Sequence, residues 1–83
     1  MKITIEELQE YLFDHYKNGG IDQSLFMKLV EEIGEVAEVL NKKAGRKSVG
    51  QEDLQTQLGN ELADVVHYTI AIAALNGIDM NDI

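Results

Sequence analysis

The chain has 83 residues, no Cys and no Pro, and its 15 acidic residues outnumber 7 basic ones for a formal net charge of −8. That length supports one small domain over residues 1–83 with a modest core, and the lack of Cys excludes a disulfide framework, a thiolate metal site and a cysteine nucleophile. The acidic balance argues against nucleic-acid polymers and anionic membranes, whose phosphates would repel it, but not against a polyanionic small ligand that arrives with metal cations.

No stretch reaches the roughly 18 uninterrupted apolar residues of a membrane span, and the N-terminus has no signal-peptide pattern. A cytoplasmic location is therefore expected. Thr4-Ile5-Glu6-Glu7 has the form of a capping box, with Thr4 as N-cap and Glu7 reaching back to it. Ile5, Leu8, Leu12 and Tyr16 then recur at helical spacing until Asn18-Gly19-Gly20, which predicts a first helix over Ile5 to Lys17. Asp22 or Ser24 caps the second helix, whose apolar stripe is Leu25, Phe26, Leu29, Val30, Ile33, Val36, Ala37 and Leu40. Lys42 and Lys43 suit its negative C-terminal end, and Gly45 suits the position just beyond it.

Gly45 to Gly50 is a polar connection of a length common between antiparallel helices. A third helix is predicted from about Gln51 to Asn76, ended by Gly77. Its second half, Val65 to Leu75, is apolar nearly all round, so it must be covered on every side. Two other full helices are too few for that, which predicts that some of the cover comes from another subunit. Asp79 is placed to cap a fourth helix, but the sequence stops four residues later at Ile83. The fold class expected is all-α: an antiparallel helical hairpin with an additional N-terminal helix, assembling into an oligomeric bundle.

Two acidic stretches, Glu31-Glu32-Ile33-Gly34-Glu35 and Glu61-Leu62-Ala63-Asp64, carry the chemistry. Each puts carboxylates three residues apart on one helix, about 4.5 Å along its axis. Positions 32 and 64 are symmetric about Ser48, as are 35 and 61. A hairpin turning near Ser48 sets Glu32 level with Asp64 and Glu35 level with Glu61, a patch of four carboxylates. Glu38 has Lys42 four residues on and reads as surface. Glu35 has only acidic charges at helical-neighbour spacing, while Glu61 and Asp64 have no Lys or Arg there. Lys28 alone is placed within the helices to reach Glu32.

Carboxylates about 5 Å apart repel by roughly 1 kcal/mol in water and several-fold more near a protein surface. A divalent cation removes that repulsion, and an all-oxygen donor set points to Mg²⁺ or Mn²⁺. Gly34 costs a helix about 1 kcal/mol relative to Ala; close helix approach or room for a ligand would explain it, and Gly59 likewise. His67 reads as a hydrogen-bonded histidine at a helix interface, and His15 as a surface or dipole-complementing residue. Tyr11, Phe13, Tyr16 and Tyr68 have the spacing of core aromatics, with nucleobase stacking as the rival reading.

These residues resemble the signature of the MazG-type all-α nucleoside triphosphate pyrophosphohydrolases, E-E-x-x-E followed after an interval by E-x-x-D. Here it reads Glu31-Glu32-x-x-Glu35, 25 intervening residues, then Glu61-x-x-Asp64. The resemblance extends through Lys28-Leu29-Val30, Leu62-Ala63-Asp64-Val65-Val66 and Asn76-Gly77-Ile78-Asp79, over roughly residues 20 to 80. It implies Mg²⁺-dependent hydrolysis of a nucleoside triphosphate to the monophosphate and pyrophosphate, in homodimers or homotetramers. Carried over by position, Glu32, Glu35, Glu61 and Asp64 are metal ligands, and Glu31 orients or deprotonates the attacking water.

Relatives usually continue through a fourth helix that touches substrate phosphates. Phosphate contacts are therefore expected from Lys28, Arg46 and Lys47, or from a neighbouring subunit. Two other functions fit the same residues. One is a phosphoribosyl-ATP pyrophosphohydrolase, a related all-α family with similar acidic pairs. The other is a non-catalytic helical oligomerisation or regulatory module.

Overall fold

A computed structural model describes residues 2–19, 22–45 and 53–83, and within them the chain forms three helices: α1 (Ile5–Tyr16), α2 (Asp22–Lys43) and α3 (Leu54–Leu75). The all-α class expected from hydrophobic periodicity is the class found. The connection around Ser48, with Arg46, Lys47 and the predicted helix start at Gln51, lies outside the described residues. α3 is the shared element: α2 packs along it as the other arm of the hairpin, and α1 packs against its C-terminal half.

Local chemistry fixes the helix ends. Thr4 Oγ1 accepts from Glu7 N–H at 3.0 Å, and Glu7 Oε1 accepts from Thr4 N–H at 3.0 Å, which is the reciprocal capping box. α1 stops one residue short of expectation, with Lys17 as its C-cap. α2 starts at Asp22, so Ser24 lies inside its first turn rather than capping it. The Asp22 carboxylate at that positive end also accepts from Asn76 Nδ2 at 3.1 Å, which joins the start of α2 to the end of α3.

Asp53 caps α3, accepting from Thr56 N–H at 3.1 Å and Thr56 Oγ1 at 2.6 Å. Those bonds stabilise the ionised carboxylate and hold the Asp53 pKa below its usual value. Gly45 and Gly77 take positive φ of 77° and 70°, as expected of the residues that end α2 and α3. At Gly77 the bonds Ile78 N–H to Ala73 O (2.9 Å) and Gly77 N–H to Ala74 O (3.2 Å) complete a Schellman ending. Asp79 begins a turn over 80–81, not a helix: its carboxylate accepts from Asn81 N–H at 2.9 Å. Gln9 clamps this segment to α1, donating to Ile78 O at 2.9 Å and accepting from Met80 N–H at 2.7 Å.

The core is where the three helices meet: Leu12, Leu25, Ile70 and Ala71 are buried, flanked by Leu8, Tyr16, Tyr68, Ile72, Leu75 and Met80. The small Ala71, Ala73 and Ala74 side chains are buried on α3. α1 and α2 of the same chain thus cover much of the apolar second half of α3, while Val66 within it stays about half exposed. The surface left uncovered lies elsewhere. Phe26, Val30, Ile33 and Leu40 on α2 and Leu62 and Val66 on α3 are about half exposed. At about 100° per residue these residues project a quarter-turn from the α2–α3 contact line, on one side of the hairpin. The acidic residues project from the opposite side.

Neither mid-helix glycine is explained by helix approach within the chain, since a Cβ added at Gly34 or Gly59 meets no heavy atom within 4 Å. Among the described residues no helix is long and apolar enough to cross a membrane. Leu12 has no exposed surface and sits between all three helices. Leu12→Ala is expected to lower unfolding free energy by about 2–5 kcal/mol in denaturant titration, whereas a loss under about 1 kcal/mol would show that this contact does not hold the helices together.

Candidate metal and nucleotide site

The hairpin delivers carboxylates from both of its arms to one place. Glu32 of α2 and Glu61 and Asp64 of α3 each offer an oxygen, and those oxygens lie within 4.8 Å of one another. Glu35 adjoins Glu61 and lines a cavity with it, so Glu32, Glu35, Glu61 and Asp64 lie in one neighbourhood. Helix geometry explains the arrangement. Glu32 and Glu61 sit at the margin of the α2–α3 contact and are half-buried, whereas Glu35 and Asp64 lie further round and are exposed.

The electrostatics of this group are unfavourable without a cation. Glu32 Oε2 and Glu61 Oε2 are shielded from water and have no hydrogen-bond partner. The Glu61 pKa is pushed up to about 7 by its close contact with the Glu35 carboxyl group, then by desolvation and by the nearby Glu32. Desolvation also raises the Glu32 pKa, with Glu35 and Asp64 adding repulsion. Orphaned carboxylate oxygens are what a hard divalent cation satisfies. The donors fit Mg²⁺ or Mn²⁺, since the set is entirely oxygen.

The other residues singled out from sequence fall differently. Lys28 Nζ pairs with Glu31 at 3.3 Å rather than with Glu32, and this contact raises the Lys28 pKa. Both residues are exposed, so Glu31 stands outside the converging group, on its rim. Lys28 and Glu31 line a cavity with Gln23, Ser24 and Met27. Arg46 and Lys47 lie outside the described residues.

His67 is a hydrogen-bonded histidine between helices: its Nε2 lies 2.7 Å from the Tyr16 hydroxyl, linking α3 to α1. Burial lowers its pKa, and burial, with the neighbouring Tyr68, raises that of Tyr16. Tyr68 packs edge-on to His67 and borders the core. Tyr11 and Phe13 are exposed on α1, Tyr11 stacked on His15. Sequence reading gave Lys42 only to the helix dipole and to Glu38. In the fold Lys42 lines a cavity shared with Glu35, Glu61 and Gln57. The available signal was its position seven residues after Glu35, two turns along the same face.

A small all-α protein whose hairpin brings together four of the five acidic residues of an E-E-x-x-E and E-x-x-D pattern belongs to a recognisable class of helical nucleotide hydrolases. The family model of the MazG nucleotide pyrophosphohydrolase domain matches residues 21–83, three quarters of the chain, and the protein belongs to that family. Comparison with curated proteins and with solved structures gives no match.

The raised Glu61 pKa has a consequence for stability in the absence of metal. An acid whose folded-state pKa lies above its unfolded value binds the extra proton in the folded state, so its stabilisation is complete below about 4.5 and is lost as pH rises through about 7. Glu61→Gln removes this dependence. In EDTA, the melting temperature of Glu61→Gln relative to wild type is expected to rise steadily between about pH 5 and pH 8. A difference independent of pH would show that the carboxylates are not in close contact.

Proposed function

We propose that the protein hydrolyses a nucleoside triphosphate, NTP or dNTP, to the monophosphate and pyrophosphate with Mg²⁺, Mn²⁺ being a workable substitute. The observation that carries this reading is the pair of shielded, unpartnered oxygens on Glu32 and Glu61, set within a carboxylate group that includes Asp64. Family membership supports the reaction class. The bond broken is the one between the α- and β-phosphates, by water, with pyrophosphate leaving.

In this reading Glu32, Glu61 and Asp64 hold the cation from both arms of the hairpin, and Glu35 completes the set beside Glu61. When bound, the cation neutralises phosphate oxygens and charge that develops on the leaving group. Glu31 is the carboxylate left outside that set. It orients the attacking water and takes its proton, and the ammonium of Lys28, 3.3 Å away, positions the Glu31 side chain on the rim of the group. Lys28 also offers positive charge to the phosphates. Covalent catalysis is not part of the proposal, since the chain has no Cys and both rings that contact His67 are tyrosines.

The proposed assembly is a homodimer or homotetramer of 83-residue domains. The apolar flank formed by Phe26, Val30, Ile33, Leu40, Leu62 and Val66 supports it, because a contiguous patch of this kind marks an interaction surface. Its position away from the carboxylates lets strongly acidic copies meet without bringing the acidic groups together.

The test is pyrophosphate release from a panel of NTPs, dNTPs and phosphoribosyl-ATP with Mg²⁺, at concentrations where sedimentation shows the oligomer. Wild type is expected to release pyrophosphate from at least one nucleoside triphosphate, and Glu35→Gln to lose about 100-fold or more of that rate. Release from phosphoribosyl-ATP alone would reassign the substrate. No release with any nucleotide or metal would overturn the enzyme reading in favour of a non-catalytic helical module.

A further inference from the structure

A cavity of about 270 Å³ opens beside the carboxylate group on the side nearer the α2–α3 connection, lined by Glu35, Glu38, Val39, Lys42, Gln57 and Glu61. We propose that this cavity receives the phosphate chain of the substrate, with Lys42 and Gln57 as its direct contacts. The assignment rests on the pyrophosphohydrolase reading and deepens it by naming residues that neither the sequence signature nor the spacing of the acidic pairs picks out.

The lining has the chemistry the task requires. Glu35 and Glu61 belong to the carboxylate group, so one wall of the cavity is also the wall that faces the proposed cation. Lys42 and Gln57 line it from the two opposite arms of the hairpin. An ammonium is a point charge with three rotatable donors and suits phosphate oxygens, and a primary amide adds two more donors. Val39 is buried beneath them and keeps water from that side. The volume is at the lower edge of small-molecule pockets, which run from about 300 to 1,000 Å³. It is large enough for a phosphate chain.

Three carboxylates around the cavity would repel a bare polyphosphate, and Lys42 already interacts within the fold. Binding is therefore expected to depend on divalent cation. Lys28, which pairs with Glu31, lines a different cavity seven residues before Glu35 on α2. Two cationic side chains thus flank the carboxylates along one helix, and Lys42 is the one that shares a cavity with them.

The test uses inorganic tripolyphosphate, which carries the phosphates without a base, in calorimetric titration with Mg²⁺. Wild type is expected to bind it, and to lose most of that binding in EDTA. Lys42→Met is expected to weaken binding by about tenfold or more, as loss of a charged hydrogen bond predicts. Lys42→Arg, which keeps the charge, is expected to recover most of the affinity. Lys17→Met is the charge-matched control. Lys17 is exposed on α1 beside Asp14, 3.3 Å away, and its loss is expected to change binding less than twofold.

Mn²⁺ binding to the carboxylate group is expected to raise the melting temperature, and by the same amount in wild type and Lys42→Met, since Lys42 holds no cation. Equal weakening by Lys42→Met and Lys17→Met would reduce the effect to net charge and overturn the assignment, as would no weakening at all. Failure of tripolyphosphate to bind wild type, with the Mn²⁺ rise intact, would overturn the cavity and leave the metal reading standing. Failure of both would remove the two together.

Discussion

Like-charge contact across the α2–α3 interface is the constraint on which the rest depends. Glu32, Glu61 and Asp64 hold oxygens within 4.8 Å of one another, and two oxygens in this group are cut off from water without a partner. Folding alone does not favour such an arrangement, because desolvation and mutual repulsion both disfavour ionised carboxylates. The hairpin imposes it, and the cost shows as a Glu61 carboxyl that stays protonated to about pH 7. A divalent cation turns the same geometry from a liability into a binding site. The family to which the chain belongs supplies a reaction that uses one.

The surroundings divide the labour around that group. α1 packs against the C-terminal half of α3 through Leu12 and the Tyr16–His67 bond, and so anchors the arm that carries Glu61 and Asp64. Asn76 ties the end of α3 to Asp22 at the start of α2, and Lys43 reaches Gln55 at the other end of the hairpin at 3.4 Å. These contacts fix the register between the two arms, and the register decides which carboxylates meet. A one-turn slip of α3 along α2 would shift the pairing by about 5.4 Å and break the group. The apolar flank on the far side of the hairpin remains available for assembly.

Much of this is legible in the sequence, for identifiable reasons. Capping chemistry is local, so the Thr4–Glu7 box and the helix-ending roles of Gly45 and Gly77 follow from a few adjacent residues. The meeting of the acidic pairs follows from symmetry about Ser48, because antiparallel helices of equal rise stay in step. Side-chain partners across space are less readable. Lys28 chooses Glu31 over Glu32 because Glu32 turns into the helix contact while Glu31 remains exposed beside it. How α1 covers the second half of α3 is not readable from local sequence. Only the fold shows Leu12 and Leu8 meeting Ile70 and Ala71. Lys42 was hidden for the same reason, its local explanation as a helix-end cation being sufficient until the cavity was seen.

The claim at the centre is that the carboxylates of Glu32, Glu61 and Asp64 hold a divalent cation. Crystals of the protein grown in millimolar Mn²⁺ test it through anomalous scattering at the manganese edge. The account predicts a peak bonded to oxygens of these three residues at about 2.2 Å, with Glu35 adjacent. An empty group, with the carboxylates turned apart into solvent and manganese bound elsewhere or not at all, would contradict it.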